Sequence, residues 1–202
     1  MTEPEWIDRQ LRSRGIADER VLAAMARVPR ELFVPGELAA HAYDDGALPL
    51  GHGQTVSQPF IVAFICEQLR LAGDERVLDV GTGSGYQAAV LSELASEVHS
   101  IERIAALAGD ARAALDAAGY AHVQVHVGDG SLGLPELAPF GGIAVAAAAR
   151  EVPPRLWGQL APGRRLVLPL RRGLRQRLTV VERRGDEPHV VASLPARFVP
   201  LV

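Results

Sequence analysis

The residues with the clearest chemical purpose lie between positions 77 and 87, Val-Leu-Asp-Val-Gly-Thr-Gly-Ser-Gly-Tyr-Gln. An apolar run passes into glycines at 81, 83 and 85 and then into a helix start, so the backbone there can approach a ligand closely and adopt positive φ. A nucleotide-type cofactor at the carboxyl end of the first strand of an open α/β sheet is the expected consequence. A dinucleotide site places its third glycine one residue later, where this chain has Tyr86, whose bulk opposes the close helix contact that glycine serves. The spacing is instead G-x-G-x-G, with Asp79 two residues before the first glycine. Glu102 ends the next apolar run, Val98 to Ile101, where a carboxylate can accept hydrogen bonds from both hydroxyls of a ribose. A solvated strand-end Glu beside Arg103 is the alternative. Asp129, between Gly128 and Gly130, either turns an oxygen toward an adenine amino group or closes an Asx turn.

A second group precedes these, Gln54-Thr-Val-Ser-Gln-Pro59. The Ser57 hydroxyl can hold an acceptor or a cofactor, or cap a helix that begins at Gln58 with Pro59 in its first turn. Other chemistry is excluded by composition. All 21 basic residues are Arg, so no Schiff-base, pyridoxal-phosphate or Walker-type lysine exists. The single cysteine, Cys66, rules out intramolecular disulfides and cysteine-cluster metal sites. Its apolar setting, Phe60 to Cys66, reads as a buried inert thiol. His122 and His126 alternate among valines and read as packing residues, and His41, His52, His99 and His189 stand in unrelated contexts; no metal is assigned.

These residues need elements to place them. The first 40 residues read as helices, with Asp18 capping a segment whose Val21, Leu22, Met25 and Val28 recur at helical spacing before Pro29. Residues 41–58 read as a long irregular connection. The helix after Ser57 carries Ile61, Phe64, Ile65 and Leu69 on one face. Beyond Gly73, strands at 76–80, 98–101, 122–127, 143–149 and 165–170 alternate with helices at 85–95, 104–118 and 153–160. That alternation predicts a parallel sheet covered on both faces. Residues 178–182 and 190–199 are expected to add an antiparallel pair.

The chain resembles two things at increasing resolution. The G-x-G-x-G loop after Asp79 resembles the glycine motif of class I S-adenosylmethionine (SAM) methyltransferases. From Val28 to Leu201 the sequence then resembles protein-L-isoaspartate (D-aspartate) O-methyltransferases. The matches are Val28-Pro-Arg-Glu-Leu-Phe33, Ala42-Tyr43 with Asp45, Leu48-Pro-Leu-Gly-His-Gly-Gln-Thr-Val-Ser-Gln-Pro59, Asp79 to Gln87, Ile101-Glu-Arg103, Gly128-Asp-Gly130, Gln159-Leu160 and Phe198-Val-Pro-Leu201. The Gly-Gln-Thr-x-Ser-Gln-Pro block is peculiar to that family.

The resemblance implies a Rossmann-like α/β fold and transfer of the SAM methyl group to the free carboxylate of L-isoaspartyl, and possibly D-aspartyl, residues in damaged proteins. S-adenosyl-L-homocysteine is the second product, and the methyl ester closes to a succinimide whose hydrolysis partly restores aspartate. It implies Asp79, Gly81, Thr82, Gly83, Ser84, Gly85, Glu102, Asp129 and Gly130 as the cofactor set and Ser57 as the active-site residue. Thr55, Val56, Leu50 and Gly51 are expected beside Ser57 on the peptide side, where extended backbone can pair with a substrate main chain. It also implies a monomeric cytosolic enzyme without metal.

Charge and length fit that picture. Twenty-one basic and 24 acidic groups give a formal charge of −3 over 202 residues, so no overall pull toward nucleic acid or anionic membrane follows. No apolar stretch approaches the roughly 20 residues that span a bilayer. The acidic start Met-Thr-Glu-Pro-Glu-Trp carries no leader-like apolar region, and a reducing cytoplasm is the expected compartment. A single domain is expected, with residues 1–58 as a helical and substrate-loop subregion and 59–202 as the SAM-binding core.

The eight Arg between 164 and 184 read as a solvated basic edge. Gly141 stands where the family has Asp, which reads as a charge lost near the active end of the sheet; Gly163-Arg164, Pro169-Leu170-Arg171, Ala146 and Arg150 depart from the pattern as well. The Gly141 and Arg171 departures motivate one rival, a SAM-dependent methyltransferase acting on another peptide carboxylate; a second rival, a non-catalytic SAM-binding isoaspartyl adaptor, is opposed by intact Ser57 and Glu102. A dehydrogenase is opposed by Tyr86.

Overall fold

The structure is a computed structural model that describes residues 4–173, 175–185 and 187–201. Part of the acidic start, residues 1–3, lies outside them. Helices α1 (Glu5–Gln10) and α2 (Glu19–Arg27) open the chain, and the Asp18 side chain accepts from the Arg20 amide as the expected cap. Two 3-10 turns follow, at Arg30–Phe33 and Gly36–His41.

The stretch expected to be irregular contains an antiparallel hairpin, β1 (Leu48–Gly51) and β2 (Gln54–Val56). Its turn is His52–Gly53, with φ of +51° and +69°. Positive φ at both central residues is the type I′ geometry that suits the twist of paired strands. Histidine in the first turn position, in place of Asn or Asp, hides the hairpin from sequence inspection.

Helix α3 (Pro59–Leu69) leads to the alternating core: β3 (Arg76–Val80), α4 (Tyr86–Ser92), β4 (Glu97–Glu102), α5 (Ala105–Ala117), β5 (Gln124–Val127), β6 (Phe140–Val145), α6 (Pro154–Gln159), β7 (Leu160–Arg172), β8 (Arg175–Arg183) and β9 (Pro188–Pro195). The seven strands from β3 onward form one sheet in the order β5-β4-β3-β6-β7-β8-β9. It is parallel from β5 to β7 and antiparallel at β8 and β9. The expected closing pair is therefore present, but it ends at Pro195, and the residues after it leave the sheet.

Both sheet faces are covered, which is why the central strands are apolar throughout. Val77 of β3 faces a cluster that runs from Trp6 and Ile7 through Met25, Ile65 and Leu91. Leu78 and Val80 face a second cluster built on Ile143, Leu156, Leu166 and Val181. Helix α3 is apolar nearly all round, with Val62, Ala63, Ile65, Cys66 and Leu69 buried and Ile61 and Phe64 half-buried. The single face expected from its spacing is thus too narrow. Cys66 is 1% exposed and burial pushes its thiol pKa up, as an inert core thiol requires.

Gly141 is the second residue of β6, at the amino end of a parallel strand and far from the carboxyl ends where ligands bind. A Cβ there would meet Cγ of Glu75 at 2.5 Å. Glu75 in turn accepts from the amides of Ala72 and Gly73 and pairs with Arg164 at 2.7 Å. Gly141 and Arg164, two departures from the family pattern, are therefore one packing solution around Glu75. The expected loss of charge near the active end is corrected: that charge would stand at the opposite end.

Candidate active site

The strand order reverses between β4 and β6 on either side of β3, and a crevice opens at the carboxyl ends of these strands, where α/β sheets bind ligands. It has a volume of about 370 Å³. Its floor and first wall come from Val80, Gly81, Thr82, Gly83, Ser84, Ile101, Glu102 and Gly130; the facing wall is Thr55, Val56, Ser57, Gln58 and Ile61. Residues 195–201 form the third side.

The glycine loop is held open by backbone geometry and by one carboxylate. Gly81, Gly83 and Gly85 take φ of +95°, +53° and +89°. Glu102 Oε2 accepts from the Gly83 amide at 3.0 Å and Oε1 from the Ile104 amide at 3.0 Å. Each carboxylate oxygen keeps a lone pair for a further donor, and the group is 7% exposed at the crevice wall. Gly130 is required for a different reason: a Cβ there would lie 2.5 Å from Val80 Cγ1.

Asp79 stands behind the crevice, fully buried. Gln87 Nε2 donates to its Oδ1 and Ser100 Oγ to its Oδ2, both at 2.7 Å. Because the Ser100 proton is committed to Asp79, the Thr82 hydroxyl donates to Ser100 Oγ, at 2.6 Å. Burial raises the Asp79 carboxyl from 3.8 to about 6; the two hydrogen bonds oppose that rise and the negative charge of Glu102 adds to it. Asp79 thus orients the loop through Thr82 and Gln87 and does not touch the crevice.

Ser57 does not cap α3. The N-cap is Gln58, without a side-chain cap bond, and the Ser57 hydroxyl has no partner among the described residues. Half-buried and on the crevice wall, it is free for a ligand. Of the other expected site residues, Gly81, Thr82, Gly83, Ser84, Glu102, Gly130, Thr55 and Val56 line the crevice with it. Gly85, Asp129, Leu50 and Gly51 do not. Asp129 realises its alternative, an Asx turn in which Oδ1 accepts from the amide and hydroxyl of Ser131. Leu50 backs Gly83 from outside, in a second groove beside Phe33 and Leu107.

The tail was missed as a site element. Gln176 accepts from the Phe198 amide at 2.6 Å and donates to the Phe198 carbonyl at 3.1 Å, while Ala148 donates to Val199 and accepts from Leu201. The signal was present in Phe198-Val-Pro-Leu201, but those residues contribute backbone and apolar surface, which carry no chemical signature. Gln159 of the matched Gln159-Leu160 pair staples residues 132 and 134 beneath Gly133.

His99 belongs with His126 after all. The rings share a hydrogen bond of 3.1 Å, and His99 Nε2 meets Glu97 Oε1 at 2.8 Å. Among the described residues no group of three or more His, Cys, Asp or Glu is arranged to hold a metal ion. No helix there is long and apolar enough to cross a membrane.

Known proteins share this sequence pattern and this fold. The profile of the protein-L-isoaspartate(D-aspartate) O-methyltransferase family matches residues 3–202. The chain is 52% identical to the protein-L-isoaspartate O-methyltransferase of Opitutus terrae, over 96% of this chain and 84% of that one. It is 56% identical to protein-L-isoaspartate O-methyltransferase 2 of Marinobacter nauticus, over 96% and 89%. A solved protein-L-isoaspartate O-methyltransferase superposes with a TM-score of 0.86 at 27% identity; the match covers 98% of this chain but only 65% of that longer one. A Plasmodium falciparum structure in complex with S-adenosyl-L-homocysteine shares the fold at a TM-score of 0.83 and 22% identity, over 100% and 99%. By the match over nearly its whole length, the chain belongs to the protein-L-isoaspartate(D-aspartate) O-methyltransferase family.

Proposed function

We propose that this chain transfers the methyl group of SAM to the free carboxylate of L-isoaspartyl residues in damaged proteins and peptides, with Ser57 as the residue that holds the acceptor. The observation that carries this reading is that Ser57, whose hydroxyl has no partner among the described residues, lines one crevice with the glycine loop and Glu102. The crevice fits the donor: bare backbone at Gly81 and Gly83 admits close approach, and the spare lone pairs of Glu102 suit a ribose diol. Bound there, SAM supplies an electrophilic methyl on a sulfonium. The acceptor oxygen forms a bond to that carbon, the C–S bond breaks, and its electron pair stays on sulfur; no proton moves.

A carboxylate is ionised at neutral pH, so the acceptor needs no general base. The chain's own task is alignment and exclusion of water. Ser57 donates to one acceptor oxygen, Thr55 and Val56 receive the peptide, and the pinned tail covers the reacting groups. The family resemblance supports a monomer. The single buried thiol and the formal charge of −3 support a reducing cytoplasm and no nucleic-acid partner.

The test is methyl transfer from labelled SAM to two peptides that differ only in aspartyl against isoaspartyl linkage. Base-labile label on the isoaspartyl peptide alone is expected. Transfer to neither, with SAM bound, would overturn the reading.

A further inference from the structure

Arg30 is fully buried, yet no carboxylate pairs with its guanidinium among the described residues. Its Nε donates to the Ala42 carbonyl at 2.6 Å and its Nη2 to the Ser57 carbonyl at 2.9 Å. The guanidinium carbon lies 4.6 Å from the ring centroid of Tyr86. Nη1 has no partner. A buried cation without a counter-ion and with an orphaned N–H is costly, and burial holds the Arg30 pKa below its ordinary value.

The three contacts explain what that cost secures. Ala42 belongs to the N-terminal subregion, Ser57 to the exit of the β1–β2 hairpin, and Tyr86 to the first position of the helix that follows the glycine loop. A planar fork with fixed donor directions can bind two carbonyls while its face rests on a ring; an ammonium cannot do all three. The Ser57 carbonyl and hydroxyl belong to one residue, so pinning the first orients the second.

We infer that Arg30 is a positioning residue for methyl transfer: it joins the Ser57 carbonyl to the Tyr86 ring and so sets the register between the acceptor-holding hydroxyl and the cofactor loop. This rests on the reading of Ser57 above. A displacement of the order of 1 Å costs about 10²-fold in rate, and that is the loss expected here.

The test uses Arg30→Met, Arg30→Lys, Ser57→Ala and the double variant Ser57→Ala/Arg30→Met in the full chain. SAM affinity and the number of SAM-binding sites are measured by calorimetry, and kcat on an isoaspartyl peptide is expressed per SAM-binding site. Arg30→Met is expected to lose about 10²-fold in kcat per site with SAM affinity unchanged. Arg30→Lys should recover part of that, and the double variant should be no slower than the worse single one, because both act through one group.

A purely structural role predicts fewer sites and a lower melting temperature but wild-type kcat per site, and that result overturns the inference. So do a SAM affinity that falls in step with kcat, multiplicative losses in the double variant, or loss of SAM binding in both Arg30 variants. Wild-type kcat in Ser57→Ala would instead remove the reading of Ser57, and the two failures are thereby distinguished.

Discussion

Asp79 carries a pH signature of its own. Its carboxyl is fully buried and titrates near 6 in the folded chain, against 3.8 when exposed. Between those values the folded state binds more protons than the unfolded one, so raising pH through that window costs stability. A displacement of about two pH units corresponds to roughly 3 kcal/mol, complete above about pH 7, and full burial leaves little solvent screening to reduce it.

Asp79→Asn removes the titration and can keep the network. The Asn oxygen accepts from Gln87, while the Ser100 hydroxyl rotates to accept from the new amide. Urea unfolding of both chains from pH 4 to 8 gives the difference in stability. That difference should change by about 2 kcal/mol between pH 4 and 6, in favour of the variant as pH rises, and be level above 7. Acid-sensitive groups such as Glu75 and Glu97, whose pKa values are lowered by their partners, act in both chains and cancel. Parallel curves would refute the assignment.

Function supplies a second reading of the same titration. Glu102 and Asp79 repel each other, and a sulfonium in the crevice relieves that repulsion, so SAM is expected to bind the ionised form better. Its affinity should weaken below pH 6, by at most about tenfold per pH unit for one proton, and S-adenosyl-L-homocysteine, neutral at sulfur, should follow less steeply.

Three further outcomes follow from the crevice and the far end of the sheet. Glu102→Gln presents an amide to the Gly83 and Ile104 amides and loses a charged acceptor; SAM and S-adenosyl-L-homocysteine should both bind about 2–4 kcal/mol more weakly by calorimetry, and affinity within threefold of wild type would contradict the assignment. Gly130→Ala places a methyl against Val80 Cγ1 and should cost about 1–3 kcal/mol of stability in urea unfolding, with SAM affinity falling because the floor must shift. Gly141→Asp drives a carboxylate into Glu75 and should lower stability by about 3 kcal/mol or more, while the SAM affinity of the folded fraction stays at the wild-type value.

The parts legible in the sequence are those whose geometry is local. Asp79 to Gln87 announces a strand, a positive-φ loop and a helix because glycine at 81, 83 and 85 has a conformational reason to be there. The β3–β7 alternation is legible because parallel strands buried on both faces must be apolar throughout. The β1–β2 hairpin was not, since His52-Gly53 is an uncommon way to write a type I′ turn. Ser57 offered two local roles, and only the placement of Gln58 as N-cap separates them. The tail could not be read as a wall, because it lines the crevice through backbone pairing with Ala148 and Gln176, and such long-range pairing leaves no spacing rule behind. The meaning of Gly141 was missed for the same reason: its partner Glu75 is distant in sequence, and the pair is closed by Arg164.

Tyr86 shows how one position can serve both levels. In a dinucleotide site the third glycine lets the helix approach closely; here Gly85 does that, since a Cβ on it would lie 3.2 Å from Leu115 Cγ and 3.4 Å from the Ala111 carbonyl oxygen. With that approach made one residue earlier, position 86 can carry a large side chain. Its ring is fully buried, tilted against Phe33 at a centroid distance of 5.8 Å and beneath Arg30. Tyr86 therefore joins the glycine loop to the segment before α3 that carries Arg30, Phe33 and the β1–β2 hairpin. On the proposed reading of Ser57, the G-x-G-x-G loop admits one ligand and the tyrosine that follows seats the segment that holds the other.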